Sequence, residues 1–480
     1  MDILDILPAQ TSVFTVYLNT GTLLDLACGA VLETRDHFTV NGGLSNIVGI
    51  GGRSQTYKSS IMDGLIARAM SIYTDVQCVV FDTENSKPGI DRYDDLAMDG
   101  RTISDRIRLY DTTTDDLNSF HDKIKSIVDY KKKHLKEMMV ETPFIDEHTH
   151  RPITMPIPTI IAIDSFTMAG ANSETESIED NALDDSALNT IWMKSGKNKT
   201  LFMLQLVQYA RATNIYFVLT AHVGDNMAIG TGPMAHPVKQ LQYMKQNDRL
   251  KNVGSQFQFL TNTFLQTQGV STLTTSDGKE CYYPAGFPNP IELNRVNISV
   301  VRNKINASGT MVPFVVSQYE GLMNTLTYVQ YLKDQKAEEL LVQKGANMSP
   351  TIYPDSSFTR KSIRERSQSD KRLQRALEIS AQFLYLKHCW SNRIPVDLSL
   401  SIEHFVERLT ADTTIMHEVL DSRGYWTYSQ TDTQYLSIFD IVDRIHHSTT
   451  DPVVVDMSPR KKGKASKESS SAAPTTLDAA

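Results

Sequence analysis

Residues 45–60 read SNIVGIGGRSQTYKSS, an apolar run that passes through glycines into a polar segment. A phosphate-binding loop has the pattern G-x-x-x-x-G-K-[ST]; it follows a strand and opens a helix, so that backbone N–H groups and the helix dipole face the phosphates. The spacing from Gly52 to Lys58 fits this pattern, and Tyr57 stands where the second glycine is usual. The stretch therefore predicts a strand, a phosphate-binding loop and a helix.

The predicted nucleotide-binding residues are those of the loop. In such a loop Lys58 reaches the β- and γ-phosphates, and the Ser59 hydroxyl binds Mg²⁺. Tyr57 lacks the backbone freedom of glycine and must find an allowed conformation at this turn. The alternative is an ordinary strand–turn–helix with a surface lysine. The residues assigned to the loop are Gly52, Arg53, Ser54, Gln55, Thr56, Tyr57, Lys58, Ser59 and Ser60.

Three further apolar runs have the same character as residues 45–52. They are VQCVVFDTE (76–84), PTIIAIDS (158–165) and NIYFVLTAH (214–222), and none alternates apolar with polar residues. Such runs are typical of strands buried on both faces of a parallel sheet. Helical patterns at 59–73 and 201–212 lie between them. The alternation predicts an α/β fold with ligands at the carboxyl ends of the strands.

Titratable side chains end these three strands. Asp164 follows four apolar residues and is expected to hold Mg²⁺ through water, although it could equally cap a buried strand. Glu84 is placed to orient or deprotonate an attacking water. His222 is placed to detect a γ-phosphate. A lone histidine is more often structural, so the prediction for His222 depends on the other strand ends.

Composition narrows the class of protein. The chain has 480 residues, 40% of them hydrophobic, and a net charge of −8, so any nucleic-acid surface must be local. Its four cysteines are too far apart for a metal or redox motif. The N-terminus lacks the basic region of a signal peptide, and no apolar run reaches the ~18 residues of a membrane span. We expect a cytoplasmic protein.

The later sequence predicts two more strands, at 257–267 and 297–304, and a helix over 360–390. Residues 360–375 hold seven Arg or Lys against two acids, which predicts either a second DNA surface or a solvated helix face. The tail is low in complexity and lacks aromatic residues, so we expect it to be disordered. The expected organisation is a short N-terminal segment with a role in subunit contact (1–17), an ATPase core (18–325), a smaller, mainly helical C-terminal domain (326–455) and a basic tail (456–480).

Several segments resemble RecA-type recombinases. LNTGTLLDLACG (18–29) is similar to the pattern that precedes the family's ATP loop, and FDTEN (81–85) to its catalytic-glutamate strand. Residues 252–266 resemble the segment after the second DNA-binding loop, and residues 300–322 the V-K-N-K run. The Y-K-S variant of the loop and the histidine at 222 point to the phage UvsX-like branch. The resemblance covers roughly residues 18–325.

The resemblance implies a RecA-like P-loop ATPase core that uses ATP and Mg²⁺. It assigns water activation to Glu84 and gives His222 the role of coupling the γ-phosphate to the second DNA loop. Arg302 and Lys304 match two lysines with which the family's filaments reach ATP on the neighbouring subunit, where cations stabilise the transferring phosphoryl group. Tyr93 is expected to stack on adenine, although two extra residues separate it from Glu84 relative to the family.

The two DNA loops of the family match residues 166–190 and 223–253. The first is acidic here, whereas the second contains Lys239, Lys245, Arg249 and Lys251 with apolar and aromatic residues among them. Basic residues neutralise phosphates, and aromatic residues stack on bases. The alternative for the second loop is a polar insert without a role in binding.

These implications define the expected function. The chain is expected to be a DNA-dependent ATPase that forms filaments on single-stranded DNA and pairs it with homologous double-stranded DNA in recombination and repair. Single-strand-binding and loader proteins are the expected accessory partners, in the host cytoplasm if the protein belongs to a bacteriophage. The alternatives are a RecA-fold replicative helicase or DNA motor and a recombination mediator that does not hydrolyse ATP.

Overall fold

A large, mostly parallel sheet organises the molecule. The computed structural model describes residues 16–447 apart from 36–37, 113–114, 116, 147–148, 170–184, 226–240, 254–255, 390–399 and 430, and only the backbone of residues 185–195, 389 and 447. The strands are β1 (Val31–Glu33), β2 (Phe38–Val40), β3 (Ile47–Gly52), β4 (Gln77–Asp82), β5 (Ile107–Asp111), β6 (Met139–Ile145), β7 (Pro152–Pro156), β8 (Thr159–Asp164), β9 (Ile215–Asp225), β10 (Asp248–Leu250), β11 (Thr263–Thr272), β12 (Leu293–Asn303), β13 (Met311–Ser317), β14 (Gly321–Leu322), β15 (Leu341–Lys344), β16 (Asn347–Pro350) and β17 (Phe358–Thr359).

Helices cover the sheet and form most of the C-terminal region. They are α1 (Leu24–Cys28), α2 (Lys58–Ile72), α3 (Arg92–Leu96), α4 (Leu117–Lys133), α5 (Asp185–Thr213), α6 (Phe257–Leu260), α7 (Asn324–Asp334), α8 (Ile363–Ser369), α9 (Lys371–Cys389), α10 (Ile402–Ala411), α11 (Thr413–Asp421) and α12 (Ile438–His447). Short 3₁₀ turns occupy Met98–Gly100, Ser104–Arg106 and Leu135–Met138. No helix in the described part of the chain is long and apolar enough to cross a membrane.

The strand order of the central sheet is β14-β13-β12-β11-β3-β9-β8-β4-β5, and β10 adds to β9. From β11 to β5 every neighbouring pair is parallel. Strands β12, β13 and β14 extend the sheet in antiparallel fashion beyond β11. This pairing confirms the α/β class and the parallel arrangement of the four apolar runs. β3 and most of β8 and β9 are also buried in the described structure.

Two predicted elements differ from the structure. Residues 257–260 form the single helical turn α6, and the strand begins only at Thr263, after the Asn262 N–H has bonded to the Ile47 carbonyl oxygen at the start of β3. The helix predicted over 360–390 is two helices, α8 and α9. The chain turns at Asp370, whose backbone is extended and whose carboxylate accepts the Leu373 N–H. Local capping therefore overrides the continuous helical periodicity.

The C-terminal elements are tied directly to the core. Helix α7 packs on both β13 and α9, and the predicted domain boundary at 325 falls at its first turn. Trp426 is fully buried, with its ring at an angle against Tyr73, which directly follows α2, and Phe144 of β6, at centroid distances of 5.0 and 5.3 Å. These contacts join the last third of the described chain to the sheet-bearing part.

Asp25 holds together the segment that precedes the central strand. Its buried carboxylate accepts the Thr20 and Gly21 N–H groups, the Thr20 hydroxyl, and the Gly43 N–H at 2.7 Å. Burial raises the pKa of Asp25 to about 6, while these hydrogen bonds oppose the rise. The L-D pattern of residues 18–29 thus has a structural role: it fixes the chain on both sides of the β1–β2 hairpin.

We predict that Asp25→Ala lowers the free energy of unfolding by at least about 3 kcal/mol, because three backbone N–H groups lose their buried acceptor, at ~1–3 kcal/mol each. Urea unfolding monitored by circular dichroism measures the loss. Asp277→Ala is the matched control, since Asp277 is exposed and accepts from Thr275 in a surface turn. An equal effect of both substitutions would contradict the structural role of Asp25.

Candidate nucleotide site

The parallel pairing brings the ends of four strands to one edge of the sheet. Gly52 of β3 lies beside His222 of β9, and Asp82 of β4 beside Asp164 of β8. Strand β9 lies between β3 and β8, so His222 stands between the glycine loop and Asp164. The structure therefore assembles the loop and the three predicted strand-end residues at one place, as expected for carboxyl ends of parallel strands.

The loop adopts a tight turn in which Tyr57 has φ 63° and ψ 24°, the left-handed region that glycine prefers. The Tyr57 hydroxyl accepts a hydrogen bond of 2.7 Å from the Asn294 amide, which helps to hold this conformation. Gly52 has no room for a side chain, because a Cβ there would lie 2.1 Å from the Thr267 hydroxyl. Tyr57 therefore takes the backbone conformation that the missing glycine would have supplied.

Lys58 opens helix α2 and is buried. Its ammonium donates to the Arg53 carbonyl oxygen at 3.0 Å, and the Thr56 hydroxyl donates to the same oxygen at 2.7 Å. Burial lowers the pKa of Lys58, and the nearby carboxylates of Glu84 and Asp164 oppose this. An ammonium held by a backbone carbonyl is available to an entering phosphate, which offers a stronger charge-assisted hydrogen bond.

Glu84 and His222 are in direct contact. The His222 Nε2 atom lies 2.6 Å from the Glu84 carboxylate, and the Ser165 hydroxyl donates to the same oxygen at 2.7 Å. These bonds, first the one from His222, hold the pKa of Glu84 below its usual value despite partial burial. Glu84 is thus an ionised carboxylate fixed in one orientation, and its side chain retains 30% exposure.

Asp164 is buried at the end of β8. Its carboxylate accepts the Thr220 hydroxyl at 2.5 Å and lies 2.8 Å from the ammonium of Lys87. Burial would raise its pKa, but Lys87, Thr220 and Ser59 more than offset this, and the pKa of Asp164 is lowered. The link from Ser59 to Asp164 places the two residues predicted to serve Mg²⁺ together.

The donor set fits a magnesium ion that arrives with a nucleotide. A hydroxyl and a carboxylate are hard oxygen donors, and Mg²⁺ is commonly held by one or two such groups together with substrate phosphates and waters. Among the described residues no cluster of three or more His, Cys, Asp or Glu side chains forms a protein cage for a metal. Ser59 and Asp164 would hold the ion, and Lys58 would face the phosphates.

Lys87 is a member of the site that the sequence patterns did not reveal. The Asp82 carboxylate accepts the N–H groups of Glu84, Ser86 and Lys87, and this turn directs the Lys87 side chain inward. There its ammonium also contacts Asp63 of α2 at 2.7 Å. The sequence signal that could have indicated Lys87 was the spacing between Glu84 and Tyr93, which is two residues longer than in the family that the chain resembles.

Tyr93 lies elsewhere than expected. Its side chain is only 1% exposed, and its hydroxyl donates to Asp63 at 2.8 Å. A buried ring offers no free face to a purine, so the prediction that Tyr93 stacks on adenine needs correction for this structure. The two extra residues after Glu84 belong to the segment that directs the Lys87 side chain inward. This segment leads to Tyr93, which shares Asp63 as a partner with Lys87.

Arg53 joins the loop to the segment predicted to bind DNA. Its guanidinium lies 2.5 Å from Asp225 and 2.7 Å from Asp248, the residues that bound β9 and β10 on either side of residues 226–247. Asp225 and Asp248 are cross-strand partners, and like charges in such a pair repel. The guanidinium therefore makes this pairing favourable, while the Arg53 carbonyl oxygen holds Lys58.

Arg302 and Lys304 lie toward the start of β11 and β3, away from the loop. Arg302 is level with Gly49 through β11, and the Lys304 N–H bonds to Asn262, beside the start of β3. Their side chains donate to the Gln258 and Leu260 carbonyl oxygens of α6. At ~3.3 Å per residue, Lys304 is about 16 Å along the strand direction from Gly52. The structure does not bring these two cations to the loop of their own chain.

The predicted DNA-binding residues are placed in part. Lys239 lies outside the described residues, as do most of the acidic segment 166–190 and residues 226–240. Lys245, Arg249 and Lys251 are exposed, and Arg249 lies on β10 opposite Gly224. The backbone N–H of Lys251 donates to the His222 carbonyl oxygen at 2.9 Å. The backbone that carries this exposed lysine is therefore bonded to the residue whose ring contacts Glu84.

The basic segment 360–375 is engaged within the chain. All seven of its Arg and Lys residues form ion pairs, which favours a structural role over a second DNA surface. Two of them, Arg364 and Arg375, are buried. The pairs are Arg360 and Lys361 with Glu280, Arg364 with Glu292 and Glu320, Arg366 with Asp370, Lys371 with Asp99, Arg372 with Asp421, and Arg375 with Glu378.

No protein-family model matches the chain, and no curated protein matches it. The interpretation of the site therefore depends on its geometry.

We predict that Arg53→Ala loosens the pairing of β10 with β9, because the guanidinium no longer lies between the Asp225 and Asp248 carboxylates. Hydrogen–deuterium exchange over residues 248–251 should then quicken severalfold. Arg249→Ala is the control, since it removes an exposed cation from the same strand. Unchanged exchange in Arg53→Ala would show that the ion pairs do not hold this strand.

Proposed function

We propose that the protein is an ATPase of the RecA type that forms filaments on single-stranded DNA and exchanges DNA strands. The observation that carries this proposal is the contact between Glu84 and His222 beside the loop that presents Lys58. One edge of a parallel sheet thus offers a phosphate-binding cation, an oriented carboxylate and a histidine between them. With Ser59 and Asp164 beside them, these residues form the set that phosphoryl transfer to water requires.

In the first step, nucleotide binding, the Lys58 ammonium exchanges one hydrogen-bond partner for another. Its ammonium leaves the Arg53 carbonyl oxygen and binds the β- and γ-phosphates, while the N–H groups at the start of α2 face the same oxygens. Mg²⁺, when bound, neutralises charge on the β- and γ-oxygens. Ser59 and Asp164 are positioned to hold that ion directly or through water. The chain thus supplies positioning and charge, which are the main requirements of this reaction.

Glu84 is the residue placed to act on the attacking water. Because His222 and Ser165 donate to one of its oxygens, the carboxylate is ionised and turned in a fixed direction. It can therefore accept a hydrogen bond from water and orient it in line with the phosphorus. Such positioning contributes to the rate without any change in the fold.

His222 connects this chemistry to the proposed DNA-binding segment. Its backbone N–H donates to the hydroxyl of Thr167 in the predicted first DNA loop at 2.8 Å, and its carbonyl oxygen accepts the N–H of Lys251 in the second. A shift of the His222 ring on nucleotide binding would be felt at both connections. This arrangement supports coupling between ATP and DNA through the end of β9.

DNA dependence and strand exchange test the proposal as a whole. We expect single-stranded DNA to increase the ATPase rate of the full chain, and the protein with ATP to convert circular single-stranded DNA and a homologous linear duplex into joint molecules. A helicase would instead separate a duplex without a homologous strand. ATP-driven unwinding without exchange would overturn the proposal in favour of a helicase, and absence of both ATP hydrolysis and exchange would overturn it in favour of a recombination mediator.

We predict different consequences for two substitutions in the site. Lys58→Ala should remove both ATP binding and hydrolysis, because the other cation of the loop, Arg53, is paired with Asp225 and Asp248. Glu84→Gln should keep ATP binding but slow hydrolysis by about 10²–10⁴-fold, the range for loss of a general base. Nucleotide affinity by calorimetry and turnover by phosphate release separate the two effects. Equal loss of affinity and turnover in Glu84→Gln would assign Glu84 a structural role.

We predict that Arg302 and Lys304 complete the site of a neighbouring subunit, since both lie away from the loop of their own chain. The Arg302→Ala/Lys304→Ala protein and the Glu84→Gln protein should each be nearly inactive on single-stranded DNA. Mixed filaments should recover part of the ATPase rate, because some junctions pair an intact Glu84 with intact cations.

The control for this mixing experiment is the Lys58→Ala protein, whose mixture with Glu84→Gln contains no intact site, because Lys58 and Glu84 lie near each other in the same chain. Electron microscopy verifies that mixed filaments form. If filaments form but no ratio restores activity, the two cations serve their own subunit or none.

A further inference from the structure

Lys87 is a deeply buried cation near the proposed site. Only 4% of its side chain is exposed, and its ammonium lies 2.7 Å from Asp63 and 2.8 Å from Asp164. The ammonium also contacts the second Asp63 oxygen, at 2.9 Å. One nitrogen therefore occupies the space between two carboxylates from different elements, α2 and β8.

The surrounding chain is built to keep this arrangement. Asp82 gathers the backbone N–H groups that fix the inward turn at Lys87, and the Tyr93 hydroxyl donates to Asp63. Burial opposes the charge of Lys87, but Asp63 and Asp164 more than compensate, and the pKa of Lys87 is raised above its usual value. A buried charge that is paired and hydrogen-bonded in this way remains ionised.

Two carboxylates that share one small cation are also a pair that a divalent cation could bridge. Mg²⁺ and Mn²⁺ both prefer oxygen ligands, and the Ser59 hydroxyl lies on the same side of α2, four residues before Asp63. With Lys87 in place, both carboxylates are already neutralised in part, and the space between them is filled. The nucleotide phosphates supply the remaining ligands that the ion needs.

We propose that Lys87 is a positioning residue that occupies the space between Asp63 and Asp164 with a fixed cation, so that the divalent metal binds only together with the nucleotide. This inference rests on the proposed nucleotide site. Lys87 would thus make metal binding depend on the nucleotide, because its ammonium pairs with Asp164 and prevents the two carboxylates from binding a metal by themselves.

The test is a titration of the metal-free full-length protein with Mn²⁺ in the absence of nucleotide, followed by electron paramagnetic resonance. We expect weak binding to the natural protein and binding at least about tenfold tighter to Lys87→Met, because two unpaired carboxylates attract a divalent cation. Lys87→Met/Asp63→Asn should return to the weak binding, since only Asp164 remains charged. Lys279→Met, at a lysine with 81% side-chain exposure, is the control for loss of one positive charge.

Circular dichroism verifies that each variant is folded. If Lys87→Met does not fold, Lys87→Gln, whose amide still donates a hydrogen bond, takes its place in the same titration. A folded Lys87 variant without gain in Mn²⁺ affinity would overturn the inference, and so would tight nucleotide-free binding by the natural protein. Failure of the proposed function appears separately, as absence of ATP binding by the natural protein, because the Mn²⁺ titration contains no nucleotide.

Discussion

The parallel register of β4, β8, β9 and β3 is the constraint on which the rest of the structure depends. In that register Asp82 pairs with Asp164, and Gly52 with His222, so that the segments after all four strands leave the sheet at one edge. Successive side chains of a strand point to opposite faces, and a slip of one residue would turn Asp164 away from Thr220 and Lys87. Side-chain contacts at the strand ends hold this register, since Asp164 of β8 accepts the Thr220 hydroxyl of β9 and pairs with Lys87, which follows β4.

The charges at this edge are arranged in pairs between neighbouring segments. His222 contacts Glu84, Lys87 lies between Asp63 and Asp164, and Arg53 lies between Asp225 and Asp248. Each pairing fixes one segment with a partner from another. Lys58 differs from these cations, since its ammonium donates to a backbone carbonyl oxygen of its own loop. The arrangement leaves Lys58 as the cation best placed to respond to a phosphate without the loss of an ion pair.

Much of this edge could be predicted from the sequence. Unbroken apolar runs mark strands buried on both faces, and the residues that end them must meet in a parallel sheet, which is why Glu84, Asp164 and His222 could be placed near the loop. Lys87 could not be found in this way, because its inward direction depends on the turn around Asp82. Tyr93 was misplaced for the same reason. The start of β11 was misjudged because one helical turn and an extended strand can share a short apolar run.

Binding of ATP to the full chain tests the central claim most directly. Isothermal titration calorimetry with ATP and Mg²⁺ should show one nucleotide per chain for the natural protein and none for Lys58→Ala, with Lys279→Met retaining the natural affinity. Absence of ATP binding by a natural protein that is shown to be folded would contradict the account, as would equal binding by Lys58→Ala. Either result would leave the loop as a strand–turn–helix connection without a nucleotide.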